Sequence, residues 1–447
     1  NSASNTFTGT YDTTSPTISI SSVGGDGYVN EDEYSSNGFS VVGATSGAVG
    51  QTVTVDYGGA SSTCTVQTDG TYSCSFTVAV LAASNSGSGV SDGTVSVTAD
   101  VNDAAGNSAT QASVTVTQDT SDPTMTITSS TVSSGGSTNT AAVVLTYTSS
   151  EATTNFAISD ITVSDCTNAA FTTASSTVYG TTCTASSDGT PTVLVAADTF
   201  TDDVGNENSV SNTYTWTYDS GAPTMTITST TVSSGATTGT AAVVLVYTSS
   251  EVTTDFELAD ITVTDCTNAE FTGSSTVYGS TCTASSDSTP TVLVAAGTFN
   301  DDVSNDNTVS NTYTWTYDGT GPTMTITSSS VTSGATTGTE AVALTFTSNE
   351  ATTDFIASDI SATSCTLSSL TGSTTKVYTA TCTPADGATA SVAVAAGTFS
   401  DASSNTNSVS NTYSWTYDGT GPTMTITSNT VASGATTATA AVVLIYT

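Results

Sequence analysis

The sequence predicts an all-β chain built as a tandem array of two-sheet sandwiches, each about one hundred residues long. Three observations predict it. The phrases NTYTWTYD, NTYTWTYD and NTYSWTYD set Trp216, Trp315 and Trp415 at one interval, and a feature written in every unit of an array is usually architecture. Apolar and hydroxyl residues alternate with period two, the spacing of side chains along a strand. Clusters of Gly, Asn, Asp and Ser break that alternation into short runs.

The copies set the frame. PTMTIT opens at Pro123, Pro223, Pro322 and Pro422, and AAVVLTYTSSE returns as AAVVLVYTSSE and then as AVALTFTSNE. Residues 119–218, 219–317 and 318–417 are therefore read as close repeats, and 13–118 as a divergent relative that keeps the closing DAAGN. Residues 1–12 match the last strand of a preceding repeat, and 418–447 the first strands of a further one. The expectation is a window on a longer array.

Within a repeat the strands follow in order. Met125 and Ile127, then Val143, Leu145 and Tyr147, put apolar side chains on one face. Runs at 160–163, 177–184 and 192–196 follow. Tyr214, Trp216 and Tyr218 alternate with Thr213, Thr215 and Thr217. No segment offers a convincing amphipathic helix. About seven short strands around a buried tryptophan suit an immunoglobulin-like sandwich. A tryptophan between two same-face tyrosines reads as core rather than as a platform for sugar stacking.

The cysteines obey the same frame. Cys64 and Cys74, Cys166 and Cys183, Cys266 and Cys282, and Cys365 and Cys382 give each complete domain one pair. A structural zinc site takes four ligands, and with no histidine a domain offers only its two cysteines. The pairs are read as intradomain disulfides, hence an oxidising, extracellular or cell-surface setting; free buried thiols are the competing reading. Closing such a loop adds about 3 kcal/mol in the chain-entropy picture.

Composition excludes several function classes. One lysine, no histidine and 39 acids give a formal charge of −38. Nucleic acid binding needs basic residues to displace counterions, and Lys376 alone cannot supply them. Anionic membrane surfaces repel such a chain, and no apolar run approaches the roughly twenty residues of a spanning helix. Histidine bases and a Ser/His/Asp set are unavailable, so a carboxylate pair is the only catalytic apparatus open. Nothing sets one such pair apart from its copies, and the chain is read as no enzyme. Abundant Ser and Thr either coat outward strand faces or carry O-linked glycans as on a stalk. No Asn-X-Ser/Thr acceptor occurs.

PTMTITS, the SSE before Phe156, SDITVSDC, AADTFTDDVGN and YDSGAP resemble the bacterial-type immunoglobulin-like repeats of large surface adhesins and extracellular fibres. The first complete domain, with SPTISISSVGGDGYVNEDE, resembles the repeats of biofilm-associated proteins. The cysteine pairs depart from the usual adhesin extender, which leaves a eukaryotic surface fibre open beside a bacterial one. The resemblance implies calcium, and the residues agree, because calcium takes six to eight oxygen ligands from carboxylates, amides and carbonyls. The candidates are Asp202, Asp203, Asn206 and Asn208, then Asp301, Asp302, Asn305 and Asn307, then Asp401, Asn405 and Asn407. Glu151, Glu251 and Glu350, with the linker acids Asp219, Asp318 and Asp418, are candidates to complete sites near the junctions. In the divergent domain they are Asp26, Asn30, Glu33, Asp103 and Asn107. Solvated turn residues are the plainer reading of the same positions.

The expected function is a non-catalytic extracellular structural segment of a long fibre or filament, stiffened by calcium, with neighbouring copies or repeats of the same protein as partners. The alternative is the stalk of a cell-surface adhesin whose binding domain lies outside this window.

Overall fold

Alternation along Met125–Ser129 and Ala142–Ser149 decides the second repeat. Met125, Ile127, Val143, Leu145 and Tyr147 are buried while Thr126, Thr128 and Thr148 face solvent, as period two on a half-buried strand requires. In the computed structural model, which describes residues 6–352, 354–372 and 375–447, these strands pair antiparallel with Tyr147 opposite Ile127. Val178–Ala185 and Cys166–Ser175 extend the sheet to four strands. The facing sheet runs Ile161–Ser164, Thr192–Val195, Tyr214–Thr215. Beside it, Ser137–Thr138 lies parallel to Thr217–Tyr218.

Trp216 fills the space between the sheets and is fully buried, with Leu145, Tyr147, Phe156, Cys183 and Phe200 in the same cluster. Its faces are therefore closed to any sugar. Asn212 substitutes for a strand partner, its Oδ1 accepting from the Ile127 amide at 2.7 Å and its Nδ2 donating to the Ile127 carbonyl at 3.1 Å. The Tyr214 hydroxyl donates to the Val132 carbonyl, which fastens the outer loop to the core strand.

The third and fourth repeats rebuild this sandwich around Trp315 and Trp415. Among the described residues the chain holds four clusters of buried side chains, one for each sandwich. It divides into two compact units, Asn1–Gly221 and Ala222–Thr447. Residues 1–5 of the predicted leading strand lie outside the described residues, and 6–12 carry no strand. At the other end Ile426–Thr427 pairs with Ile445–Tyr446.

The divergent domain packs the three strands Thr17–Val23, Phe39–Ser46 and Thr71–Phe76 against a five-stranded sheet. It also contains a short helix, Val78–Gly87, absent from the sequence reading. Thr77 opens the helix by accepting the Val80 amide at 3.4 Å, and positive φ at Asn85 and Ser86 ends it. Only Leu81 and Ser84 of the segment are buried, so no helical period marks it in the sequence.

All eight cysteines are paired, as Cys64–Cys74, Cys166–Cys183, Cys266–Cys282 and Cys365–Cys382. In the second and fourth repeats the bond joins neighbouring strands of one sheet, and in the third both cysteines lie within Cys266–Ala284. In the divergent domain it ties Ala60–Thr65 of one sheet to Thr71–Phe76 of the other.

Candidate metal centre

The turn from Asp202 to Asn206 is organised by a single carboxylate. Asp202 Oδ1 accepts the amides of Val204, Gly205 and Asn206 at 2.9, 2.8 and 3.0 Å, and Oδ2 accepts Asn206 Nδ2 at 2.7 Å. Asn206 Nδ2 also donates to the Asp119 carbonyl at 2.9 Å. The turn thus reaches the residue where the second repeat begins. Glu151 follows Ala142–Ser149 and brings a third acid to the same place.

Asp119, Glu151 and Asp202 each offer a carboxylate oxygen, and these oxygens lie within 4.8 Å of one another. Asp318, Glu350 and Asp401 repeat the group in the second unit. There the turn keeps its bonds, with Asp401 Oδ1 accepting the Ser403 and Asn405 amides, both at 2.8 Å, and Asn405 Nδ2 reaching the Asp318 carbonyl at 2.7 Å.

Electrostatics sets the first group apart from a solvated turn. The first unit contains no lysine, arginine or histidine. Glu151 Oε2 is buried and no hydrogen-bond donor reaches it. Burial, then the charges of Asp119 and Asp202, push the Glu151 carboxyl up to about 7. Burial and the Asp318 and Asp401 charges raise Glu350 in the same direction. Three close carboxylates need a shared proton or a cation, and hard oxygen donors of this kind suit calcium.

The remaining candidates make local hydrogen bonds or face solvent. In the third repeat Asp301 organises the same turn, accepting the Val303 and Asn305 amides at 2.9 and 2.8 Å. The Glu251 amide donates to Ser249 Oγ at 3.4 Å, and in the first unit Asp219 Oδ1 accepts the Gly221 amide at 2.9 Å. Asp203 and Asp302 face solvent. Asn208, Asn307 and Asn407 are spent on their own loops. Asn208 accepts the Thr199 and Phe200 amides at 2.8 and 2.9 Å and donates to the Ala196 and Ser209 carbonyls at 2.7 and 2.9 Å. Asp418 Oδ1 accepts the Thr420 amide at 3.2 Å.

In the divergent domain, hydrogen bonds led by Asn107 hold the Asp103 carboxyl below its ordinary range, and Asn107 Nδ2 donates to the Asp12 carbonyl at 3.1 Å. Asn30 and Glu33 bond each other, the Glu33 amide reaching Asn30 Oδ1 at 3.0 Å, while Asp26 Oδ1 caps the Tyr28 amide at 3.0 Å. Among the described residues these acids form no group of three.

Sequence reasoning missed Asp119, whose linker position carried no motif of its own. It also missed Asp92, Asp188, Asp287 and Asp386, which hold the linkers by hydrogen bonds. Their recurrence at one place in each copy was the available signal.

Fold and site together define an array of immunoglobulin-like sandwiches with acidic junctions. Residues 119–218 and 318–417 each match the bacterial Ig-like domain family. No curated protein matches the chain. Among solved structures, the chain is similar to invasin, a bacterial integrin-binding protein, at 14% identity over 93% of this chain and 82% of that one, with a TM-score of 0.34. It is similar to a Ca2+-stabilised adhesin of an Antarctic bacterium at 19% identity over 90% and 99% of the two chains, with a TM-score of 0.30. An immunoglobulin-like domain of the M. primoryensis ice-binding adhesin is 26% identical over 23% of this chain and 96% of its own, with a TM-score of 0.18.

Proposed function

We propose that the chain is a non-catalytic structural segment of an extracellular or cell-surface protein, an array of sandwiches that spans distance and is stiffened by calcium where repeats join. Disulfides persist outside the reducing cytosol, and each sandwich carries one. No helix among the described residues is long and apolar enough to cross a membrane.

The observation that carries the calcium reading is the grouping of Asp119, Glu151 and Asp202, repeated by Asp318, Glu350 and Asp401. These residues would hold the ion, with backbone carbonyls or water completing its six to eight oxygens. The ion supplies charge neutralisation at a joint that otherwise concentrates like charge. Outward hydroxyls such as those of Thr126 and Thr148 are available to O-linked glycans, which intact mass would reveal.

Calorimetric titration of the intact chain with calcium tests the reading. Saturable binding with proton release near neutral pH is expected, because Glu151 must give up its proton to the ion. Absence of any saturable heat, with melting and solution scattering identical in chelator and in calcium, would sink it.

A further inference from the structure

We infer that the linkers 119–123 and 318–322 are each clamped from both sides by hydrogen bonds, so that protein groups hold their path and the proposed cation adds to a joint already ordered. The inference rests on reading the chain as a spacer array, but not on calcium.

The backward clamp is an aspartate of the preceding sandwich. Asp92 accepts the amide and the hydroxyl of Thr120, both at 3.1 Å. Asp188 accepts the amide and hydroxyl of Ser220 at 2.8 and 2.7 Å. Where glycine follows the junction, the hydroxyl moves one residue on. Asp287 takes the Gly319 amide at 2.6 Å and the Thr320 hydroxyl, and Asp386 takes the Gly419 amide at 2.5 Å and the Thr420 hydroxyl at 2.7 Å. The donor pair is kept while its sequence position shifts, which turn propensity alone does not require. These bonds are charge-assisted and so stronger than neutral ones. They also hold the Asp188, Asp287 and Asp386 carboxyls below their ordinary range, the hydroxyl donor contributing most.

The junction aspartate is gripped through its own backbone. The Asp318 amide donates back to the Thr238 carbonyl at 3.1 Å, and its carbonyl accepts forward from Asn405 at 2.7 Å. In the first unit, Asp119 donates back to Val29 at 3.0 Å and accepts from Asn206 at 2.9 Å. Four residues on, the proline docks forward. The Pro123 carbonyl accepts the Ser209 amide and the Pro322 carbonyl the Ser408 amide, each at 3.0 Å. In both linkers the junction aspartate is tied each way, the residue or two after it to the sandwich behind, and the proline to the sandwich ahead.

Amide hydrogen exchange of the full chain in excess chelator tests this, because protection there owes nothing to calcium. The Gly319 amide is expected to exchange at least about tenfold more slowly than an unprotected amide. Asp287→Ala should remove that protection, Asp287→Asn should keep part of it through its carbonyl oxygen, and amides beside Trp315 should stay protected in both. If Asp287→Ala disturbs the Trp315 amides, Thr320→Val decides instead, with partial loss expected at Gly319. An unprotected Gly319 in the wild-type chain, or unchanged protection in a folded Asp287→Ala or Thr320→Val variant, overturns the clamp. Neither result bears on the calcium titration, so the two readings fail separately.

Discussion

The hydroxyl of Tyr147 meets Thr181 Oγ1 at 3.0 Å inside the second sandwich, where both side chains are buried. Tyr247 and Ser280 repeat the pair at 2.9 Å. In the fourth repeat the same positions are Phe346 and Ala380. The hydroxyl pair is kept whole or removed whole, as expected when a half-satisfied buried group is the costly state.

Thr181→Ala alone should therefore destabilise the second repeat by about 1–3 kcal/mol. Adding Tyr147→Phe should recover most of that loss. Denaturant-dependent exchange of the amides in Ala142–Ser149 measures it, and strict additivity of the two changes would contradict the coupling.

Trp216 is the largest fully buried side chain of its cluster. Trp216→Ala should cost about 3–5 kcal/mol by leaving a cavity that the sheets cannot close. Chemical unfolding followed through near-ultraviolet circular dichroism reads the loss.

Removing one disulfide should act locally. The Cys166–Cys183 bond spans 17 residues, so Cys166→Ala with Cys183→Ala should lower the stability of that repeat by about 3 kcal/mol. The neighbouring repeats should keep their exchange protection.

Much of this was legible in the sequence because period two and the copy interval fix which side chains share a face. Val143, Leu145 and Tyr147 could be assigned inward from alternation alone, and the cysteine pairs from their repeated place. Direction around a turn could not. Asp202 and Asp203 are neighbours of the same chemistry, yet Asp202 is buried at the junction and Asp203 points to solvent. Asn208 looked like an oxygen ligand, but its amide is consumed by four backbone groups. Asp287 carried no signal of its own in the sequence, and only the folded chain shows it meeting a linker more than thirty residues away. Such partnerships depend on how loops return in space, which local pattern does not encode.

The pH dependence follows from Glu151. Its carboxyl titrates at about 7 in the folded chain against 4.5 when unperturbed, so between those values the folded state binds the proton more tightly. Stability in chelator should then be fullest below about pH 4.5 for this group and fall as pH rises towards 7. Melting at pH 5.5 and pH 8 checks the sign. Calcium should flatten the difference, because the ion replaces the proton.

The most direct test of the junction cation is the melting of Glu151→Gln with Glu350→Gln, compared with the wild-type chain in chelator and in calcium. Glutamine mimics the protonated carboxyl, so in chelator the variant should melt at or above the wild-type temperature. Calcium should raise the wild-type melting temperature and leave the variant almost unmoved. An equal calcium-induced rise in both proteins would contradict a cation held by Asp119, Glu151 and Asp202 and by Asp318, Glu350 and Asp401.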